Sequence, residues 1–569
     1  MFRNFKSKLV ITLAISLLVP LVIDAQTIDG EVDFNVDPSY DSQGRKELTA
    51  VLVKSTDQLY FYADKIWWEE LSRAERQSLD VVFYNLGIEF ERKIYPTLTK
   101  AFGSEPKPGI DGSEIITVLL HPMISDAGGY YNTGDIYSRF EYPKSNEREL
   151  LYLNSRYIDK PEAKAFLAHE FTHLITINQK NLLRGVNEEI WLNEARAEYS
   201  ATFLGYNDVY RGSILERRVN EFLRNSQISL TEWLNKKEDY GAINLFTQYL
   251  VDHYGVKILV DSLQSDYTGI ESVNYALTKN NYGKNFSQIF SDWAVTLLVN
   301  DCNLGDEYCY LNKHLQDFHI TPTFYYLPRA ETVMSNYHDT TYWGLNWHRF
   351  LGGGSDLVLE FDGLDEVVFK VPYLVCDFNN SCSVKFVSLN EEQKGEITLS
   401  GFGAEYSSLT IIPFVESKTS GFNGHEESIS FSWKITVDEK TEKEKGPEAV
   451  NQLLAQIEEL KRKIAEYEAK IAALKGLTPV SCNRFDNDLY YGIWDSVEVS
   501  CLQQFLKEQG PDIYPEGLVT GNFLSLTQAA VIRFQEKYAE EILYPLDLEK
   551  GTGYFGPATR NKINSLKNS

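Results

Sequence analysis

Beyond its first two dozen residues the 569-residue chain has no apolar run long enough to cross a membrane. Basic residues are in deficit: 55 Lys and Arg face 81 Asp and Glu, a formal net charge of −26. That balance argues against nucleic acid as a partner, because phosphate binding needs a basic surface. Cysteines number only six, with no C-x-x-C among them, which argues against a metal cluster built on them. They fall into three local pairs, Cys302 with Cys309, Cys376 with Cys382 and Cys482 with Cys501. Local pairs in an exported chain predict disulfides.

Export is predicted by the leader. Basic MFRNFKSK precedes the apolar stretch Leu9 to Ile23, and Asp24-Ala25-Gln26 follows. This is the layout of a signal peptide, residues 1–25, cleaved after Ala25. The stretch is short for a membrane anchor and contains Pro20, and no Cys follows it to carry a lipid. The expected location is secreted, extracellular or associated with the cell wall.

The chemistry centres on Ala168-His169-Glu170-Phe171-Thr172-His173, an H-E-x-x-H sequence in the run KAFLAHEFTHLITINQ. The run is mostly apolar and lacks Pro and Gly, so it reads as a buried helix. His169 and His173, four apart, share one face and can bind one Zn2+. Glu170 lies beside the metal, where it can take a proton from zinc-bound water. A catalytic zinc site needs a third protein ligand and one open position. Glu194 and Glu198, one turn apart in the helical stretch EIWLNEARAEY, supply candidates. One carboxylate can ligate while the other accepts the free N–H of a ligating His. Read singly, these are two core histidines and a solvated acidic face; read together, they are a zinc site.

HEFTHLITINQ followed by WLNEARAEY resembles the hyicolysin-like metallopeptidases of the thermolysin-like gluzincin clan. The resemblance implies an α+β zincin-like fold and a zinc endopeptidase, with His169, His173 and Glu194 as metal ligands. It implies Glu170 as general base and Glu198 as the acidic residue behind the ligands. One departure is that no Tyr lies between His173 and Glu194, so that oxyanion helper cannot be carried over. Tyr240, in Asp239-Tyr240-Gly241-Ala242 before a helix, is the candidate oxyanion donor, by likeness to the wider clan's aminopeptidases. His253 is a lesser candidate. The clan also holds substrate on an edge strand, which by position would be Gly128 to Asn132; the same residues could form an ordinary loop.

The expected organisation is multidomain. Residues 26–315 form the metallopeptidase domain: strands at 45–62, a helix from Ser72 to Phe102, strands IITVLL and ELLYLN, and helices onward to about residue 300. Residues 316–438 are β-rich and alternating, which predicts a β-sandwich accessory domain. A linker and coiled coil occupy 439–476. There Val450, Leu453, Ile457, Leu460, Ile464, Tyr467, Ile471 and Leu474 fall on a heptad. β-branched a positions with Leu at d favour a parallel homodimer through 450–474, and a single helical stalk is the alternative.

Residues 477–569 resemble the small all-α peptidoglycan-binding domain. The pattern is carried by Leu502-Gln503, Gly521-Asn522-Phe523, Thr527, Ala530-Val531, Phe534-Gln535 and Gly556-Pro557-Ala558-Thr559-Arg560. Leu524 stands where that family usually has Gly, and an insertion with Pro545 separates Gln535 from Gly551. The resemblance implies peptidoglycan as a partner. The expectation is thus a secreted zinc endopeptidase acting on protein and tethered to the wall. A hydrolase of peptidoglycan cross-links and a non-catalytic wall-binding adhesin are the other readings.

Overall fold

The computed structural model describes residues 30–567 except 438–481 and positions 329–331, 355, 423, 483, 495, 516 and 547. The expected signal peptide and heptad segment lie outside the described residues. The chain is a mixed α/β, multidomain protein that divides into two compact units, one ending at Thr441 and one beginning at Glu442.

The first unit opens on a six-stranded sheet of order β1-β2-β3-β4-β6-β5. Its strands are β1 (Glu31–Asn35), β2 (Glu47–Ser55), β3 (Leu59–Asp64), β4 (Ile116–His121), β5 (Gly129–Tyr131) and β6 (Leu150–Asn154). β3, β4 and β6 run parallel, and β5 pairs antiparallel with β6 at the edge. β4 and β6 are buried throughout. That is why ITVLLH and LLYLN read as continuous apolar runs rather than alternating ones. Between β3 and β4 come α1 (Lys65–Glu70), α2 (Arg73–Glu89) and α3 (Tyr95–Phe102). Ser72 starts α2 with a capping box: its hydroxyl accepts from Glu75 N–H, and the Glu75 carboxylate accepts from Ser72 N–H at 2.7 Å.

The helical layer continues with α4 (Ala163–Ile177), α5 (Ile190–Phe203), α6 (Ile214–Arg224), α7 (Lys237–Tyr254), α8 (Lys257–Leu263), α9 (Gly269–Lys279) and α10 (Phe286–Val299). α4 is buried all round, including Glu170 and His173. A helix apolar on every side belongs inside, and its few polar groups must then find partners there.

The β-rich region forms two facing sheets with one core. One has order β14-β10-β17-β8 and the other β13-β12-β15-β9-β7. The strands are β7 (Thr323–Leu327), β8 (Thr332–Thr340), β9 (His348–Gly352), β10 (Leu357–Gly363), β11 (Phe369–Lys370), β12 (Pro372–Asp377), β13 (Cys382–Phe386), β14 (Lys394–Leu399), β15 (Tyr406–Ile411), β16 (Phe414–Val415) and β17 (Ile429–Val437). Trp433 of β17 packs across the gap on Phe350, ring centres 4.7 Å apart. The boundary expected at 315/316 does not separate compact units. Trp343 packs on Phe286 and Phe290 of α10 at 4.9 and 5.2 Å, and Trp347 Nε1 donates to Ala294 O at 3.0 Å. Helices and sheets share that core because these tryptophans pack on α10 while Phe414 of β16 packs on Trp343.

The second unit has its own core and helices at Val497–Glu508, Ser525–Lys537, Ala539–Ile542 and Pro557–Lys567. It uses one device twice. Gln503 Oε1 accepts from Thr520 and Gly521 N–H at 2.7 and 2.9 Å, while its amide donates to Thr527 Oγ1 at 2.8 Å. Gln535 repeats this with Thr552, Gly553 and Thr559 at 2.8, 3.0 and 2.9 Å. Gly521 and Gly553 take the same left-handed turn, φ 78° and 73°. The sequence reading missed this internal repeat; T-G-x-F-x-x-x-T, present twice, was its signal.

All three expected disulfides are present. Among the described residues no helix is long and apolar enough to cross a membrane. The disulfides are compatible with a secreted or extracellular protein.

Candidate metal centre

α4 and α5 lie side by side and bring the candidate residues together. Nε2 of His169 stands 3.2 Å from Glu194 Oε2, and Nε2 of His173 stands 3.6 Å from Glu194 Oε1. Two ligands at 2.0–2.1 Å in a tetrahedral shell sit about 3.3–3.4 Å apart, so this spacing matches a shared ion. Glu194 Oε2 is buried and makes no hydrogen bond despite that proximity. A buried carboxylate oxygen without a donor calls for a cation. Donor atoms of His169, Glu170 and His173 also lie within 4.8 Å of one another, so two carboxylates flank the imidazoles. The Glu194 carboxylate touches both Nε2 atoms. The donor set of two imidazoles and a carboxylate can hold zinc.

The outer nitrogens of both imidazoles are also engaged. Glu198 Oε1 lies 3.5 Å from His169 Nδ1, and Asn193 Oδ1 lies 3.1 Å from His173 Nδ1. With a proton on each Nδ1 both contacts become donations and each Nε2 is left to bind. Glu198 is in turn gripped by Arg218 of α6, whose Nε and Nη2 donate at 2.8 and 2.5 Å, and by Asn244 at 3.2 Å. Arg218 also pairs with Glu221 at 2.7 Å. Gly241 lets α7 close on α6: a Cβ there would meet Phe222 N at 2.7 Å.

Burial pushes the Glu170 carboxyl up to about 7, opposed by the two histidines. Burial also disfavours charge on His173, but Glu194 outweighs it and lifts that imidazole to about 9. Burial opposes ionisation of Glu194, yet His173 and His169 hold it well below the usual carboxylate range. Arg218 does the same for Glu198.

These groups line a cleft of about 780 Å³. β5 forms one wall, at the edge of its sheet, as the position of residues 128–132 suggested. Gly129 is required there: a Cβ would meet Tyr152 O at 2.5 Å and Glu170 Oε1 at 2.9 Å. Tyr240 also reaches the cleft. Its hydroxyl donates to Asn235 Oδ1 at 3.1 Å, and its ring lies over the Arg218 guanidinium at 4.5 Å. His253 does not line the cleft; its Nε2 contacts Cys309 O at 2.8 Å at the far end of α7.

Sequence reasoning missed Asn193, Arg218 and Tyr40. Asn193 could have been found from its place directly before Glu194. Tyr40 lines the cleft, and burial followed by the Glu194 charge raises its hydroxyl pKa. Neither Tyr40 nor Arg218 sits in a recognisable spacing.

No family model matches the chain, and no curated protein matches it. Solved structures similar to part of it include the pre-peptidase C-terminal domain of a collagenase from Bacillus anthracis. That domain is 5% identical over 20% of this chain and 96% of its own, with a TM-score of 0.14. A mitogen from Yersinia pseudotuberculosis is 11% identical over 20% of this chain and 92% of its own, TM-score 0.14. A periplasmic inhibitor of g-type lysozyme from Aeromonas hydrophila is 8% identical over 21% of this chain and 100% of its own, TM-score 0.14. These scores are too low to carry a shared fold.

Proposed function

We propose that the chain is an exported zinc endopeptidase of the hyicolysin-like kind, acting on protein substrates and held at peptidoglycan by its C-terminal unit. In this reading the six-stranded sheet and its helices are a zincin-like catalytic domain, the two facing sheets a β-sandwich accessory domain, and the unit after 442 a peptidoglycan-binding domain. The observation that carries the catalytic reading is the convergence of His169 Nε2, His173 Nε2 and the unpartnered Glu194 oxygen, with Glu170 alongside.

His169, His173 and Glu194 would hold the zinc, with Glu198 and Asn193 fixing the two rings. When bound, zinc supplies a Lewis acid that polarises the scissile carbonyl and makes water a nucleophile near neutral pH. Glu170 takes the proton from the attacking water on its carboxylate and passes it to the leaving amine nitrogen. Burial brings its proton affinity close to neutral pH, which suits a group that both accepts and donates. The free edge of β5 offers backbone N–H and C=O groups to an extended peptide. The Tyr240 hydroxyl is the candidate donor to the developing oxyanion, with Tyr40 as its neighbour.

Metal analysis of the full-length protein should find about one zinc per chain. Glu170→Gln should keep the zinc and the fold and lose most casein hydrolysis. Undiminished hydrolysis by E170Q overturns the assignment. Purified cell walls digested in parallel would show release of cross-link fragments if the substrate is peptidoglycan instead.

A further inference from the structure

The cleft has a side recess that the proposed chemistry does not use. On α4, Ala165 and Phe166 lie one turn before His169. On α5, Ala201 lies one turn beyond Ala197, on the face that carries Glu194. Ile214 closes the recess from α6. Ala165, Ala201 and Ile214 form a small buried apolar cluster of their own, with Phe166 packed against it. All four line the cleft.

Arg217 stands at the mouth of this recess. Its guanidinium lies 5.6 Å from the centre of the Phe166 ring, and the residue is exposed to the cleft. Among the described residues its side chain makes no hydrogen bond and no ion pair. Two of the acidic groups around it are engaged elsewhere, and Glu162 acts on it through its charge without forming an ion pair. Glu221 is bound by Arg218 at 2.7 Å, and Glu216 accepts from Gly212 N–H at 2.6 Å. Stacking on an aromatic ring covers one face of a guanidinium and leaves its N–H fork open to a carboxylate. Arg218, next in sequence, is consumed by Glu198 and Glu221. The two adjacent arginines therefore have different tasks.

We propose that Arg217 is a specificity-determining residue that binds a substrate carboxylate, so that the enzyme selects peptides with Glu or Asp lodged in this recess. The small floor admits a short methylene stem, and the guanidinium meets the charge at its end. A free C-terminal carboxylate has the same chemistry and is the other source. The inference rests on the zinc-peptidase reading.

The test uses zinc-loaded full-length protein and matched peptides carrying Glu, Gln or Lys at each position around the cleaved bond. At one position wild type should favour Glu over Gln by about 10- to 100-fold in kcat/KM, the size expected for a charge-assisted hydrogen-bonded pair. Arg217→Ala should bring that ratio to about one, and Arg217→Glu should favour Lys; Arg211→Ala, outside the cleft, should leave the ratio as in wild type. Peptides ending at that position as free acid or amide separate an acidic side chain from a chain terminus. As a readout without turnover, labelled Glu peptide should bind E170Q more tightly than Gln peptide, by fluorescence anisotropy, and lose that advantage in E170Q/R217A. A wild-type ratio near one, or an R217A ratio equal to wild type, overturns the inference while leaving the peptidase reading intact. A zinc-loaded wild type that cleaves none of the peptides, nor casein, overturns both.

Discussion

Glu198 is the sharpest point at which to press the metal-centre reading. Its buried carboxylate meets four groups: Arg218 Nε and Nη2 at 2.8 and 2.5 Å, Asn244 Nδ2 at 3.2 Å and His169 Nδ1 at 3.5 Å. With His169 presenting Nε2 to a metal, all four are donors, so the site needs an acceptor-only group. Glu198→Gln supplies one oxygen and turns an NH2 towards donors on the other side. Arg218 keeps Glu221, so the guanidinium is not left bare. The expected cost to folding in chelator is therefore about 2–4 kcal/mol, below that of an orphaned buried charge. Zinc affinity should fall about 10–100-fold, because His169 loses the partner that fixes its ring and raises its basicity. At a fixed excess of zinc, that weakening removes about 1.4–2.7 kcal/mol more, since bound ligand stabilises in proportion to the logarithm of its affinity. Urea unfolding of wild type and E198Q, each in excess zinc and in excess chelator, reads both quantities. Competition with a chromophoric chelator gives the affinity directly. An equal loss in zinc and in chelator would refute the reasoning, because Glu198 would then hold α5 to α6 without steering His169.

Four further outcomes are expected. Glu194→Ala should remove most bound zinc while E170Q does not, read by metal analysis of the purified variants. Gly129→Ala should lower kcat/KM by about tenfold or more with zinc retained, because its Cβ would push β5 away from Tyr152 O and Glu170. Burial, with His338 beside it, lowers His348 to about 3, so its ring stays neutral in the fold and is protonated in the unfolded chain below about 6.5. Stability should therefore fall as pH drops through that window, by about 3 kcal/mol at pH 4, and His348→Leu should lose less over the same range in urea titrations. A fragment covering residues 26–437 should hydrolyse casein about as well as the full chain, since one compact unit ends at Thr441; a folded but inactive fragment would assign part of the enzyme to the second unit.

The sequence makes α4 and α5 legible because their demands are local. Two imidazoles four apart need one helix face, and an all-apolar surround needs an interior helix, so both constraints lie inside sixteen residues. Glu194 and Glu198 obey the same one-turn rule. For Gly128 to Asn132 the sequence leaves both an edge strand, by likeness to the clan, and an ordinary loop open, and Gly129–Tyr131 form the edge strand β5. What stays hidden is set by distant packing. Arg218 reaches Glu198 only because Gly241 lets α7 close on α6. Tyr40 precedes α4 by more than a hundred residues and lies in the loop after β1. The 315/316 boundary lies inside the first compact unit, where Trp343 and Trp347 pack on α10 and tie the sheets to the helices, a contact set by distant packing.

The charge balance of the centre explains why the helices tolerate it. Glu170, Glu194, Glu198 and Glu221 are all carboxylates in or beside one cleft, and among the described residues Arg218 is the single arginine or lysine hydrogen-bonded to them. Isolated buried carboxylates are costly enough that they take up protons or recruit cations. The two outer ones, Glu198 and Glu221, are settled by Arg218. Among the described residues Glu194 and Glu170 have no arginine or lysine partner. Their nearest basic groups are His169 and His173, which sit where a divalent ion would take their lone pairs. Protonating His173 relieves part of the strain, at the price of disabling it as a ligand. A divalent ion would relieve more: Glu194, His169 and His173 are the residues that would hold it, beside Glu170. Zinc should therefore stabilise the first unit, and chelator should lower its urea midpoint. Excess zinc should restore the midpoint in wild type and leave a Glu194→Ala protein nearly unmoved.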